Sequence, residues 1–317
     1  MKKAPLTEDG FLAKVLPHLA SDATVATGPG DDCAVVRLPG AKEDLLFTVD
    51  PIVEGHHFDS SATDAQIGRK AVARATSDIA AMGGRPRWML LSLLVPRGFD
   101  AGRLERIFAS AAKTAAGFGA AIVGGDTGEG DKLTLSVTVI GTVARGKALL
   151  RSGARAGDAL CTTGKLGGNW KHGSKRHLSP HPRLAEGAFL AETGFATAAM
   201  DLSDGLLTDL PRMMAGSGTA AVVFPEAIPR KRGATEEDAM AEGEDYELLF
   251  TVPETRLGKL LAAWPRDFAP IARIGSVVPA GTPPVEPLPA PTRPGALYLS
   301  RQGAISPAPV PRPHHFA

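Results

Sequence analysis

The chain lacks most of the features that make a binding or catalytic site easy to recognise. It has only two cysteines in 317 residues, Cys33 and Cys161. They can make neither a disulfide framework nor a cysteine-rich zinc site, and they read as small buried residues. Lysine plus arginine number 35 against 34 aspartates plus glutamates, so no broad basic surface points to nucleic acid. No apolar run approaches the ~18 residues of a membrane span. The opening "MKKAPLTEDGFLAKVL" has two lysines, but Glu8, Asp9 and Lys14 break up the residues after them, so no signal-peptide core is expected. By elimination the expected location is the cytoplasm. Several motifs are also missing. There is no G-x-x-x-x-G-K-[ST] loop and no H-E-x-x-H helix. "GPGDDC" lacks the third glycine of a dinucleotide fingerprint and precedes a strand pattern, not a helix. Ser77 and Ser203 carry no local sign of a Ser–His–Asp arrangement, which leaves a triad assembled in space open. No short-period repeat is present.

What is there reads as mixed α and β. The length suits two domains of ordinary size. Residues 6–20 fit a helix, and "CAVVRL" and "LLFTVD" fit short strands around the turn-like "PGAKED". Residues 64–82 give the clearest helix: Ile67, Ala71, Ala75, Ile79 and Met82 recur at helical spacing, and Gly83-Gly84 supplies a stop. "WMLLSLLV" reads as a strand, "RLERIFASAAKTAAGFG" as a helix and "KLTLSVTVIGTV" as a strand. The pattern pauses over residues 144–158, which places the domain boundary there: residues 1–145, then 146–317. In the second part "ALCTTG" and "YELLFTV" read as strands and "GLLTDLPRMMAGSG" as a helix. The proline-rich tail from about residue 279 reads as an extended surface segment.

Acidic clusters punctuate the chain: "GDD" (30–32), "TVDPIVEGHHF" (48–58), "TSD" (76–78), "GGDTGEGD" (124–131), "DLSDGL" (201–206) and "GEDYELLF" (243–250). Most adjoin glycines at expected strand ends or helix starts, where backbone can approach a ligand closely. Hard divalent cations take oxygen ligands, and Mg2+ binds through a few carboxylates plus substrate phosphates. Each cluster also has a plainer reading. "GDD" serves as a turn and "SDG" as a helix N-cap. Asp78, on or beside the apolar stripe of its helix, is either a ligand or the ion-pair partner of Arg74 one turn earlier. His56 and His57 are metal or substrate candidates in a loop.

The order of these motifs resembles that of thiamine-monophosphate kinases. "GDDCAVV", "TVDPIVEGHHF", "SDIAAMGGRPRW", "GGDT", "RSGARAGD", "TGKLG", "HLSPHPR", "MDLSDGL" and "GEDYELLFTVP" occur in series over roughly residues 8–316. The wider superfamily also holds aminoimidazole ribonucleotide synthetase, selenophosphate synthetase and a hydrogenase-maturation protein. The resemblance implies an α+β (mixed α/β) fold. Its N-terminal domain would bind ATP and Mg2+ and pair with a second copy into an intersubunit β-barrel, and a C-terminal α+β domain would follow. It implies a homodimer that transfers the γ-phosphate of ATP to thiamine monophosphate, giving thiamine diphosphate and ADP. It further implies Mg2+ held by Asp32, Thr48, Asp50, Asp78, Asp126, Asp201 and Asp204. Nucleotide contacts fall on Gly125, Arg151 and Ser203, and substrate contacts on His57 and Glu244. No residue is implied as an acid, base or nucleophile.

This chain departs from the family pattern at three places. Ala75 stands where the family commonly has Asn. The loop over 164–183 is short, lacks an Asp-Ser pair and is basic through Lys165, Lys171, Lys175 and Arg176, which reads as a solvated surface. Pro313 stands where an aromatic packs on thiamine, although His315 and Phe316 remain. Two other functions therefore stay open: an ATP-dependent enzyme of the same superfamily with a different acceptor, and a non-catalytic Mg-ATP-binding regulatory protein.

Overall fold

The computed structural model describes residues 8–19, 22–170, 174–281, 295–301 and 304–309. It contains two sheets. The first comprises β1 (Val25–Thr27), β2 (Ala34–Val36), β3 (Glu43–Val53), β4 (Arg85–Val95), β5 (Ala121–Glu129) and β6 (Thr134–Ala144). Their spatial order is β1-β2-β3-β6-β4-β5. Only β4 and β5 run parallel, because helix α3 (Ala101–Gly117) makes the crossover between them. The second sheet comprises β7 (Asp158–Thr163), β8 (Ala198–Asp201), β9 (Thr219–Val223), β10 (Leu248–Pro253), β11 (Ile271–Pro279), β12 (Leu297–Arg301) and β13 (Ala304–Pro307). Its order is β13-β12-β9-β11-β7-β10-β8. The other helices described are α1 (Glu8–Val15), α2 (Asp64–Ala81), α4 (Leu184–Thr193), α5 (Leu206–Gly216), α6 (Glu236–Ala241) and α7 (Glu254–Ala263). None is long and apolar enough to cross a membrane.

Helix α2 is the central element. Thr63 caps it in a reciprocal box: its hydroxyl accepts the Gln66 N–H and the Gln66 side chain accepts the Thr63 N–H. Ile67, Ala71, Ala75 and Ile79 then bury one stripe against the inner face of the first sheet, sharing a core with Leu46, Met89, Leu135, Val137 and Val139. The opposite face of that sheet leaves Val49, Trp88, Leu90 and Leu94 exposed. The second sheet is covered on both faces, so its central strands are buried almost throughout, polar Asp158, Thr162, Thr163 and Thr251 included. Leu160, Met200 and Leu249 pack with α5, while Cys161, Ala199 and Phe250 form a core with Leu190 of α4 and Leu260 of α7. Ala81, at the end of α2, joins this last core, so one helix spans from the first packing layer to the second.

The expected elements form, with some shifts. The helix expected over 6–20 is α1 followed by a short 3-10 turn, Leu16–His18. "LLFTVD" is the middle of the longer β3. "YELLFTV" enters its strand only at Leu248, because Glu244 and Tyr246 adopt left-handed backbone, with φ of 65° and 53°. The glycine-rich "GGDTGE", read from the sequence only as an acidic cluster, is part of the edge strand β5. Residues 6, 7 and 20 and most of the proline-rich tail, 282–294, lie outside the described residues. Cys33 and Cys161 are both free and buried, as their type and number imply.

The α2–α3 contact is tight enough to test. A Cβ on Gly68 would lie 2.2 Å from the Ile107 carbonyl oxygen and 2.8 Å from the Ala111 nitrogen. Both are backbone atoms and cannot rotate away. Gly68→Ala is expected to cost ~1–3 kcal/mol through overpacking, read as a lower urea midpoint. An unchanged midpoint would contradict this packing.

Candidate phosphate-transfer site

Carboxylates from four separate segments meet where the inner face of the first sheet faces α2 and β8. Asp32 comes from the turn before β2, Thr48 and Asp50 from β3, Asp78 from α2, and Asp201 from the end of β8. Oxygen atoms of Asp32, Asp78 and Asp201 all lie within 4.8 Å of one another. The Thr48 hydroxyl donates to Asp78 Oδ2 at 2.5 Å. Arg151, from the segment joining the two sheets, donates to Asp32 Oδ1 through Nη2 at 2.6 Å. Its backbone N–H donates to both oxygens of Asp31, at 3.2 and 3.1 Å. Asp204 accepts from Arg212 at 2.6 Å, and its own N–H donates to Asp209 at 2.9 Å, which fixes the start of α5.

A cation-binding reading is testable on the donors themselves. Asp32 Oδ2 and Asp201 Oδ2 are buried and accept no hydrogen bond. A buried carboxylate oxygen without a partner is costly, and a hard divalent cation is the counter-charge such oxygens suit. The donor set of carboxylates and one hydroxyl therefore fits Mg2+. Burial raises the Asp78 carboxyl well above its usual range, and the charges of Asp50, Asp201 and Asp32 raise it further. Burial and then the charge of Asp32 push Asp201 up to about 7. Burial and then Asp32 push Asp31 up to about 6. Asp32 and Asp50 are also raised, mainly by burial, although Arg151 and Arg74 oppose the shift.

A second group of side chains adjoins the first. Arg74 Nε lies 3.3 Å from Asp50 Oδ2 and its Nη1 lies 3.6 Å from Glu244 Oε1. Lys70, fully buried one turn earlier on α2, pairs with Glu244 and donates to the His57 carbonyl at 2.7 Å. Charges thus alternate along Lys70, Glu244, Arg74 and Asp50. His57 Nδ1 accepts the Val53 N–H at 3.0 Å, which orients the ring in the loop after β3. The Ser203 carbonyl accepts the Glu244 N–H at 2.7 Å, tying "DLSDGL" to "GEDYE".

Asp32, Thr48, Asp50, Asp78, Asp201, Asp204, Arg151, Ser203, Glu244 and His57 thus belong to one contiguous region. Asp126 and Gly125 do not join it within one protomer. Asp126 faces Ser92, which faces Ser136, which faces Pro51. Facing residues share a sheet face, so Asp126 is on the side away from Asp50 and α2. β5 is three strands from β3, ~14 Å at the usual ~4.8 Å spacing. Gly125 is fixed by packing, since a Cβ there would lie 1.9 Å from the Leu91 carbonyl oxygen. The ion pair considered between Asp78 and Arg74 does not form: Arg74 turns to Asp50 and Glu244 instead.

Sequence reasoning missed Lys70 and the role of Arg74. Their i, i+4, i+8 spacing with Asp78 was the available signal. Ala75 is a core residue. Of the basic loop, Lys165, Lys175 and Arg176 are exposed or half-buried at the surface, as expected. Lys171, Pro313, His315 and Phe316 lie outside the described residues.

Comparison with known proteins gives a consistent result. Residues 30–143 match the family model of the AIR synthase related protein N-terminal domain, and residues 129–285 match that of its C-terminal domain. The chain is 35% identical over 284 residues to a thiamine-monophosphate kinase of Salmonella typhimurium, covering 81% of this chain and 86% of that one. It is 36% identical over 290 residues to a thiamine-monophosphate kinase of Rhodopirellula baltica, covering 86% and 89%. Its structure is similar to that of AaThiL complexed with AMPPCP and TMP, with a TM-score of 0.77, 26% identity and coverage of 96% and 97%.

The electrostatics predict how a cation and pH interact. A carboxyl whose folded pKa is raised stabilises the fold below its unfolded value, 3.8 for Asp31 and Asp201. That contribution is lost as pH rises through about 6 and about 7 respectively. A bound cation offsets the loss only where the carboxylates are ionised. The rise in melting temperature on adding Mg2+ is therefore expected to be larger at pH 8 than at pH 5, measured by thermal shift. An equal or smaller rise at pH 8 would contradict this electrostatic picture.

Proposed function

The chain belongs to the thiamine-monophosphate kinase family, and from that premise we propose how its site carries out phosphate transfer. It uses ATP to phosphorylate thiamine monophosphate, giving thiamine diphosphate and ADP. The observation that carries the site assignment is the convergence of Asp32, Asp78 and Asp201, with buried unpartnered oxygens, beside Arg151 and Arg74. Mg2+ held by Asp32, Thr48, Asp50, Asp78, Asp126, Asp201 and Asp204 would neutralise phosphate oxygens and orient them for in-line transfer.

The chain's own residues supply the rest. Arg151 presents a fixed guanidinium on the nucleotide side, with Ser203 and Gly125 as further nucleotide contacts. Arg74, His57 and Glu244 define the acceptor side. The attacking group is an oxygen of a phosphate monoester, whose second pKa is about 6, so it is largely ionised at neutral pH. No general base or covalent intermediate is needed. Holding two anions in register and screening their repulsion carries the catalysis.

We divide the chain into an N-terminal unit, 1–145, and a C-terminal unit, 146–317, and place the enzyme in the cytoplasm. We further propose a homodimer in which two six-stranded sheets close an intersubunit β-barrel. Its support is the exposed apolar face carrying Val49, Trp88, Leu90 and Leu94. Asp126 lies on that same outward side, so a second copy is what would carry it into a shared site.

Two measurements test these assignments. Purified protein with ATP, Mg2+ and thiamine monophosphate is expected to form thiamine diphosphate, detected by chromatography. Asp201→Asn should lower the rate by about a hundredfold or more, as loss of a key charge-stabilising group does. ADP release without that product would mean a different acceptor, and an Asp201→Asn rate within a few-fold of normal would remove the cation-site assignment. Leu90→Arg should convert the dimer to monomer in sedimentation, whereas an unchanged mass would contradict the barrel.

A further inference from the structure

A pocket of about 260 Å³ opens at the loop after β3 that carries His57. Its walls include His56, Phe58, Asp59, Trp170, Lys175 and His177. The transfer chemistry leaves Trp170 without a role. The residue is 42% exposed. Yet it is held in place. It stacks on His177 with ring centroids 3.9 Å apart and planes 14° from parallel. The Lys70 ammonium lies 5.1 Å from the indole centroid, and the same ammonium pairs with Glu244. One buried side chain therefore links the indole to the acceptor-side carboxylate.

The preceding residue explains why the indole is fixed. Asn169 is buried, and each of its polar groups is engaged. Its N–H donates to Glu242 at 2.8 Å. Its side-chain amide donates to the Gly243 carbonyl at 2.9 Å and to Asp245 at 2.7 Å. Its side-chain oxygen accepts from Lys231 at 2.8 Å, and its carbonyl meets His177 Nδ1 at 2.9 Å. The backbone entering Trp170 is thus anchored, and the exposed ring is ordered before any ligand arrives. Such preorganisation lowers the entropic cost of binding.

We propose that Trp170, backed by His177, is the stacking platform for the aromatic ring of the acceptor, and so a specificity-determining residue of this site. The ligand chemistry is a flat, nitrogen-containing heterocycle, as in the aminopyrimidine of thiamine. The phosphate end would extend toward Lys70, Glu244 and Arg74. Asp59 and Ser61 at the rim offer acceptors to a polar ring edge. This inference rests on the reading of thiamine monophosphate as acceptor.

The test compares Trp170→Ala and Trp170→Phe in the full chain, with circular dichroism to check folding. Stacking contributions predict that Trp170→Ala raises KM for thiamine monophosphate by roughly tenfold or more, leaving KM for ATP within about twofold. Trp170→Phe, which keeps an aromatic face, should stay within about threefold of wild type. Inhibition by the thiazole monophosphate fragment, which lacks the pyrimidine, should not change. An unchanged KM in a folded Trp170→Ala, or equal weakening of the fragment, would overturn the proposal. A separate binding readout keeps it independent of turnover: thiamine monophosphate should quench tryptophan fluorescence in wild type and not in Trp170→Phe. Quenching without product would overturn the kinase reading but keep the platform. Neither quenching nor product would overturn both.

Discussion

The structure is organised around a repulsion. Asp32, Asp78 and Asp201 are brought together from three distant parts of the chain; Asp32 and Asp201 are buried, each with an oxygen that accepts no hydrogen bond, and Asp78 is half-buried. A fold in which each local choice was optimised would not do this, because buried like charges raise one another's pKa and oppose folding. The cost is distributed. Arg151 pairs with Asp32 and Arg74 with Asp50, while Thr48 donates to Asp78. What remains uncompensated is a set of oxygen donors close to one another, and that residual demand for positive charge is what the proposed site would use for phosphate transfer.

Helix α2 connects the cluster to Glu244 and the His57 loop, the proposed acceptor side. Lys70, Arg74 and Asp78 fall on successive turns, so one rigid rod sets the distances between an ammonium, a guanidinium and a carboxylate. The apolar stripe that anchors this rod in the first core also holds those three groups in register. Opposite it, the "GEDYE" segment presents Glu244 through left-handed backbone at Glu244 and Tyr246. Such conformations cost ~1–3 kcal/mol each and persist only where surrounding contacts impose them. Here the Ser203 and Leu202 carbonyls impose them, by accepting the Glu244 and Tyr246 N–H groups. The strain therefore lies between the metal-type aspartates and the acceptor-side glutamate.

Much of this was legible in the sequence, for reasons particular to each element. Helix α2 could be read because its apolar spacing and its glycine stop agree. The carboxylate set could be read because the motifs recur in a recognisable order, although no single motif is decisive. The edge strand β5 was obscured because "GGDTGE" has the composition of a turn, and only pairing with β4 makes it a strand. β12 and β13 come after a proline-rich stretch that hides them. Lys70 was signalled only by its helical spacing from Asp78: its partner Glu244 is 174 residues away, and a lysine beside an apolar stripe ordinarily points to solvent. Helical spacing alone pairs Arg74 with Asp78, but tertiary charges on β3 and before β10 attract it more strongly. The position of Asp126 also depended on register, since a single step along β5 would have turned it inward.

The most direct test of the central claim is anomalous diffraction from crystals grown with Mn2+ and a non-hydrolysable ATP analogue. The account predicts a strong anomalous peak among the carboxylates of Asp32, Asp78 and Asp201. A peak confined to another part of the molecule, or none with the nucleotide bound, would contradict it.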